Sequence, residues 1–155
     1  MLAVFLVTLP IKSFADEAVV GLLYHITRSI QFPEPTNNID VCVFGSEADY
    51  NIFNNLDSKN GITVSVSYFS EPANAEMCHI VYVPRDASGR KKVIETVKDK
   101  PILTIGHDDF AWAGGMISTY LVGGKLVFDI NFQVLQSSGV SVDAKILELG
   151  RLINR

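Results

Sequence analysis

Hydrophobic positions along this chain change period several times, and each change marks an element. Val19, Leu22, Leu23, Ile26 and Ile30 recur at helical spacing, with Glu17, His25, Arg28 and Ser29 mostly off that stripe. The spacing predicts a first amphipathic helix. It ends at Phe32-Pro33-Glu34-Pro35, because a residue before proline is pushed out of helical backbone. Ile39-Asp40-Val41-Cys42-Val43-Phe44 then reads as a short buried strand between an Asn37-Asn38 turn and Gly45. Asp49 to Leu56 reads as a short helix, and Ile62 to Val66 alternates apolar and polar residues as a strand does. After an irregular stretch, Ser70 to Met77, a third strand runs from His79 to Val83 and stops at Pro84. Ser88 to Lys98 predicts a polar, Lys-rich helix with Val93, Ile94 and Val97 inward, and Pro101 precedes a fourth strand, Ile102 to Ile105. Helices alternating with strands imply an α/β layer with largely parallel strands.

The pattern then changes. Met116 to Val122 and Lys125 to Ile130 are strand-like runs joined by Gly123-Gly124 alone, and only residues that tolerate positive φ make such a turn. The expected antiparallel register sets Leu121 against Leu126, Thr119 against Phe128 and Ile117 against Ile130. Ser118 with Asp129 and Val122 with Lys125 then fall on the opposite, wetter face of an edge. Asn131 to Gln136 reads as a short helix stopped at Gly139. A terminal helix follows, with Ser141 as its N-cap and Val142, Ile146, Leu149 and Ile153 as its stripe. The expected fold is therefore α/β: a single-domain mixed sheet, largely parallel and flanked by helices, with a C-terminal antiparallel hairpin (116–130) and a terminal helix.

Composition narrows the class. With 155 residues, 48% hydrophobic and 19% charged, the chain suits one globular domain rather than a disordered segment. Thirteen basic against 17 acidic residues give −4, with no dense basic tract, which excludes the usual footprint of a nucleic-acid binder. The mean hydropathy of +0.24 owes much to Leu2–Leu9. Eight residues span only about 12 Å as helix, where a bilayer core needs roughly 20 apolar residues. The run suits a signal-peptide core instead, with Ser13 and Ala15 as the small residues before cleavage and Asp16 as the new N-terminus. No Lys or Arg precedes it, so its basic leader segment reads as truncated. The domains expected are residues 1–15 as signal peptide and 16–155 as the mature domain.

Candidate chemistry is sparse. His25, His79 and His107 are scattered and make no i, i+4 pair, GxSxG is absent, and the glycine pairs form neither GxGxxG nor a P-loop. The sequence thus predicts no enzyme, no metal site and no cofactor. Phe110 and Trp112 beside Gly114-Gly115 form a loop able to receive a planar ligand or a partner side chain, or else to cover the open end of the sheet. Cys42 lies in the first strand and Cys78 abuts the third, and those strands are neighbours in one common doubly wound order. In an exported protein the even count permits a disulfide worth about 3 to 4 kcal/mol; in the cytosol both would be buried thiols.

These segments, taken in order, resemble the YfiR family. The blocks are Ile30-Gln31-Phe32-Pro33, Cys42-Val43-Phe44-Gly45, Cys78-His79-Ile80-Val81-Tyr82, Leu103-Thr104-Ile105-Gly106, Gly114-Gly115-Met116-Ile117, Phe128-Asp129-Ile130-Asn131 and Ser138-Gly139-Val140-Ser141. Departures are the helix start Val142-Asp143-Ala144-Lys145, where the family has small polar residues before a leucine pair, and the absence of the second cysteine pair of some members. The resemblance implies a periplasmic, non-enzymatic regulator. Such a protein binds and represses the periplasmic sensor of an inner-membrane diguanylate cyclase, with any redox control resting on Cys42 and Cys78. It implies no nucleic acid and no membrane insertion after signal cleavage, and leaves a homodimer open. The alternative is a periplasmic small-molecule binding module serving a transporter or sensor, with its site outside the carboxyl ends of the parallel strands near Gly45-Ser46, Pro84-Arg85 and Gly106-His107.

Overall fold

The computed structural model describes residues 14–54, 56, 61–85 and 87–154; the apolar run Leu2–Leu9 and the cleavage residue Ser13 lie outside these. Helix α1 (Phe14–Ser29) leads into β1 (Asn38–Phe44), α2 (Glu47–Phe53) and β2 (Thr63–Phe69). A 3-10 helix (Pro72–Met77) precedes β3 (Ile80–Tyr82), α3 (Arg90–Val97) and β4 (Leu103–His107). The hairpin β5 (Ile117–Val122) and β6 (Lys125–Asn131) is followed by α4 (Phe132–Ser138), α5 (Ala144–Leu149) and β7 (Arg151–Ile153).

The strands form one seven-stranded sheet in the order β2-β1-β3-β4-β5-β6-β7. Every pairing is parallel except β5 with β6. This is the mixed, largely parallel α/β sheet that the alternation of periods predicts. The hairpin register is also as read from the glycine turn, with Ile117 opposite Ile130 and Leu121 opposite Leu126, and both turn glycines have positive φ.

Alternate residues feed two cores. Ile39, Val41, Val43, Ile80, Tyr82, Leu103, Ile105, Ile117 and Ile130 bury one face beneath the α1 stripe Val19, Leu22, Leu23 and Ile26. On the other face Cys42, Phe44, Val81 and Val83 pack with Val93 and Val97 of α3, Cys78 and Phe110. Strands covered on both sides read as near-continuous apolar runs, which is the pattern of β1 and β4.

The C-terminus departs from expectation. Ser141 is no helix cap: its backbone exchanges hydrogen bonds of 2.8 and 3.0 Å with Gln31, which holds it extended. The cap of α5 is Asp143, whose carboxylate accepts from the Lys145 N–H at 3.1 Å. The helix then stops at Leu149, because Gly150 is pressed against the hairpin. A Cβ there would sit 2.6 Å from Phe128 and 2.7 Å from Ile130. Arg151–Ile153 becomes a seventh strand parallel to β6, so the hairpin is not the sheet's edge. Nor is its second face wet near the base, where Ser118 and Asp129 are both buried.

Candidate functional site

Three places bring together side chains able to do more than fill the core. The first is the cysteine pair. Register sets Cys42 directly between Ser67 on β2 and Val81 on β3, and Cys78 caps the 3-10 helix just before β3. The two are joined as a disulfide, with Cα atoms 6.0 Å apart, an ordinary span for such a bridge. Both cysteines are buried, yet both line a surface cleft of about 420 Å³ with Asp40, Ser67, Asn74 and Met77. The Ser67 hydroxyl donates to Cys42 Sγ at 3.4 Å. Tyr68 and Met77 beside the cleft are 45% and 79% exposed, the latter the most exposed large apolar side chain among the described residues.

The second place is the loop after β4. Its four candidate residues do not act together. Phe110 is fully buried, with its ring clamped between Gly106 and Gly115, where added Cβ atoms would lie 2.3 and 2.1 Å from it. Gly114 lines a separate groove of about 420 Å³ between α3 and α4, with Val97, Thr104, Met116 and Val134. Only Trp112 presents a ring to solvent, and its indole N–H donates to Asp129 at 3.2 Å.

Asp129 is the residue that pattern reading misjudged. Its carboxylate is buried in β6 and accepts from Arg151 Nε at 2.8 Å and Nη2 at 2.7 Å, from the Tyr120 hydroxyl at 3.0 Å and from Trp112. Burial pushes its pKa up, but the Arg151, Tyr120 and Trp112 hydrogen bonds outweigh that and hold it below the usual carboxylate range. Burial and the hydrogen bond to Asp129 push the Tyr120 phenol up in turn. The available signal was a lone acid inside an apolar strand. Its partner is hidden in the sequence because Arg151 falls between Leu149 and Ile153 of the predicted terminal helix.

The third place is the carboxyl end of the parallel strands. The Thr119 hydroxyl lies 3.2 Å from the Gly106 carbonyl, to which it can donate, and 3.0 Å from His107 Nδ1. His107 Nε2 is hydrogen-bonded to the Tyr82 hydroxyl at 2.5 Å. Around it Arg85 pairs with Asp108 at 3.3 Å and Arg90 with Asp109 at 2.8 Å. The Arg90 hydrogen bond holds the Asp109 carboxyl below its ordinary value. These groups are engaged with one another and form no nucleophile–base pair. Among the described residues no three His, Cys, Asp or Glu side chains converge as metal ligands, and no helix is long and apolar enough to cross a membrane.

Known proteins share this architecture. A solved structure described as the ABC domain in complex with L-Trp from Streptococcus pneumonia matches with a TM-score of 0.60 and 14% identity. The match covers 90% of this chain, which spans 60% of that one, and at such identity it speaks to fold alone. The sequence itself matches the DUF4154 model, YfiR/HmsC-like, over residues 16–151, from α1 to the first residue of β7, and the chain belongs to that family.

Proposed function

We propose that this protein is a non-catalytic periplasmic regulator. It binds the periplasmic sensor region of an inner-membrane diguanylate cyclase and holds that enzyme inactive, under redox control through the Cys42–Cys78 bridge. The observation that carries this reading is the family match over residues 16–151. Two features support it. The disulfide suits an oxidising compartment, which export after removal of residues 1–15 would supply. The acid–base candidates at the carboxyl end of the strands, His107, Asp108 and Asp109, are held by Tyr82, Thr119, Arg85 and Arg90. For redox control the partner must bind the bridged and open forms with different affinity, since equal affinity shifts no equilibrium.

The test is capture of the tagged mature domain from its own cell envelope, with and without reductant, read by mass spectrometry. Recovery of one integral-membrane protein with a cyclase domain, changing with redox state, supports the whole reading. The same recovery in both conditions keeps the repressor and leaves the disulfide as a structural staple. No membrane partner in either condition overturns the reading.

A second reading is a small-molecule binding module, favoured by the groove that Gly114 lines between α3 and α4, whose volume is within the range of ligand sites. The L-Trp complex of the similarly folded streptococcal structure makes amino acids a sensible first panel. A ligand present at 100 times its dissociation constant stabilises by about 2.7 kcal/mol, which a thermal shift registers.

A further inference from the structure

We infer that the Cys42–Cys78 bridge opens from one side only: an incoming thiolate attacks the Cys78 sulfur, and Cys42 departs as the thiolate, held by Ser67 as a positioning residue. This deepens the redox part of the proposed function.

Two observations agree on the direction. Ser67 stands opposite Cys42 across the β1–β2 pairing, and its hydroxyl lies within donor reach of that sulfur at 3.4 Å. A hydrogen bond to a sulfur that gains negative charge strengthens as the charge develops, so Ser67 favours Cys42 as leaving group. Cys78 Sγ has the opposite kind of neighbour, the Asn74 carbonyl oxygen at 3.7 Å. That acceptor suits a neutral S–H and opposes a thiolate.

The chemistry balances with an external thiol as co-reactant. Its thiolate forms a bond to Cys78 Sγ, the Sγ–Sγ bond breaks, and the bonding pair leaves on Cys42 Sγ, which accepts from Ser67. A second thiol then attacks the mixed disulfide at the carrier's sulfur. Cys78 is released, takes a proton and donates it to Asn74. The protein disulfide has gained two electrons and two thiols have become one disulfide.

The experiment uses the oxidised mature protein with 2-mercaptoethanol. This probe carries no charge beyond its thiolate, so that Asp40 in the cleft does not decide the outcome. The reaction is quenched early with acid, the freed cysteine is alkylated, and the adduct is mapped by mass spectrometry. We expect the adduct on Cys78, and the alkyl group on Cys42, in about tenfold excess over the reverse. Ser67→Ala should slow opening about threefold and reduce that excess, while Ser67→Thr, which keeps the hydroxyl, restores both. Ser67 is exposed on an edge strand, and circular dichroism of each oxidised variant checks that the fold is kept. Adducts shared evenly, or placed on Cys42, would overturn the directional opening. An unchanged rate and ratio in Ser67→Ala would overturn the role of Ser67. Both readouts come from the isolated protein, so failure here is separable from failure to find a membrane partner.

Discussion

The two ends of the sheet are secured in opposite ways. Near the β2 edge one covalent bond ties the middle of β1 to the start of β3, across a cleft with exposed apolar walls. Near the β7 edge a single buried carboxylate gathers donors from β5, from the loop after β4 and from β7 itself. The first tie acts largely on the unfolded chain, by shortening it. The second acts on the native state, by satisfying charges and hydrogen bonds that assembly brings together. A covalent tie is indifferent to pH and sensitive to thiols; the ionic one is the reverse. The difference therefore assigns each end of the molecule its own chemical lever, thiols at the cysteine end and pH at the Asp129 end.

The largest effect should come from cutting the covalent tie. The bridge closes a loop of 36 residues, for which chain entropy gives about 3–4 kcal/mol. The double variant Cys42→Ala with Cys78→Ala should lose that amount in urea unfolding, and added reductant should leave it unmoved while bringing the native protein down to its level. A loss below about 1 kcal/mol would mean that the cleft region is already ordered in the unfolded chain or strained in the native one.

Breaking the other end should cost less. Asp129→Ala removes the acceptor for Arg151, Tyr120 and Trp112 at once, and we expect about 2–3 kcal/mol, because Arg151 is largely exposed and water rehydrates it. The cysteines and Asp129 stand three to four strand spacings apart, roughly 14–19 Å. The triple variant should therefore lose the sum of the two effects within about 0.5 kcal/mol. A clear excess over the sum would show that the ends are coupled through β3, β4 and β5.

Acidification sharpens the contrast. The folded pKa of Asp129 is depressed, so its contribution is present above the unfolded value of about 3.9 and is lost as pH falls through the lower folded value. The stability difference between the native protein and Asp129→Ala should hold steady from neutral pH to about 5. Below about 4 it should narrow without vanishing, since the protonated acid still accepts from Tyr120 and Trp112. The difference between the native protein and the cysteine double variant should show no such narrowing. A gap for Asp129→Ala that is flat to pH 2.5 would mean the carboxyl titrates alike in both states.

What was readable in the residues follows the same division. Period and turn chemistry were enough for α1, β1, β4 and the hairpin register, because buried alternation and a Gly123-Gly124 turn leave few options. The disulfide is legible once β1 and β3 are neighbours and the chain is taken as exported; without export the same two residues read as buried thiols. The Asp129 site was not, because its pieces depend on a tertiary event. Val142, Ile146, Leu149 and Ile153 keep a helical spacing, and nothing local says that Gly150 must yield to Phe128 and Ile130 and turn the last residues into a strand. In the event Leu149 is 74% exposed while Ile153 is buried, so the stripe is broken where the strand begins. Phe110 misled for a related reason: an aromatic between glycines looks the same whether the glycines open a pocket or clamp the ring.

The smallest effect is also the most local. Trp112 is the chain's single tryptophan, 41% exposed and bonded to Asp129, so its fluorescence reports on that contact. Trp112→Phe removes one of the donors on Asp129 while keeping an aromatic ring, and should cost about 0.5–1 kcal/mol. Its emission provides the finer test. Under conditions where every variant remains folded, Asp129→Ala should shift the emission, because the indole N–H must turn to water. Reduction of the disulfide should leave it where it was, because Cys42 and Cys78 stand three to four strands from Asp129, the acceptor of the indole N–H. If reduction shifts Trp112 as Asp129→Ala does, the two ends are not independent, and a redox change at β1 reaches the β7 edge through the sheet.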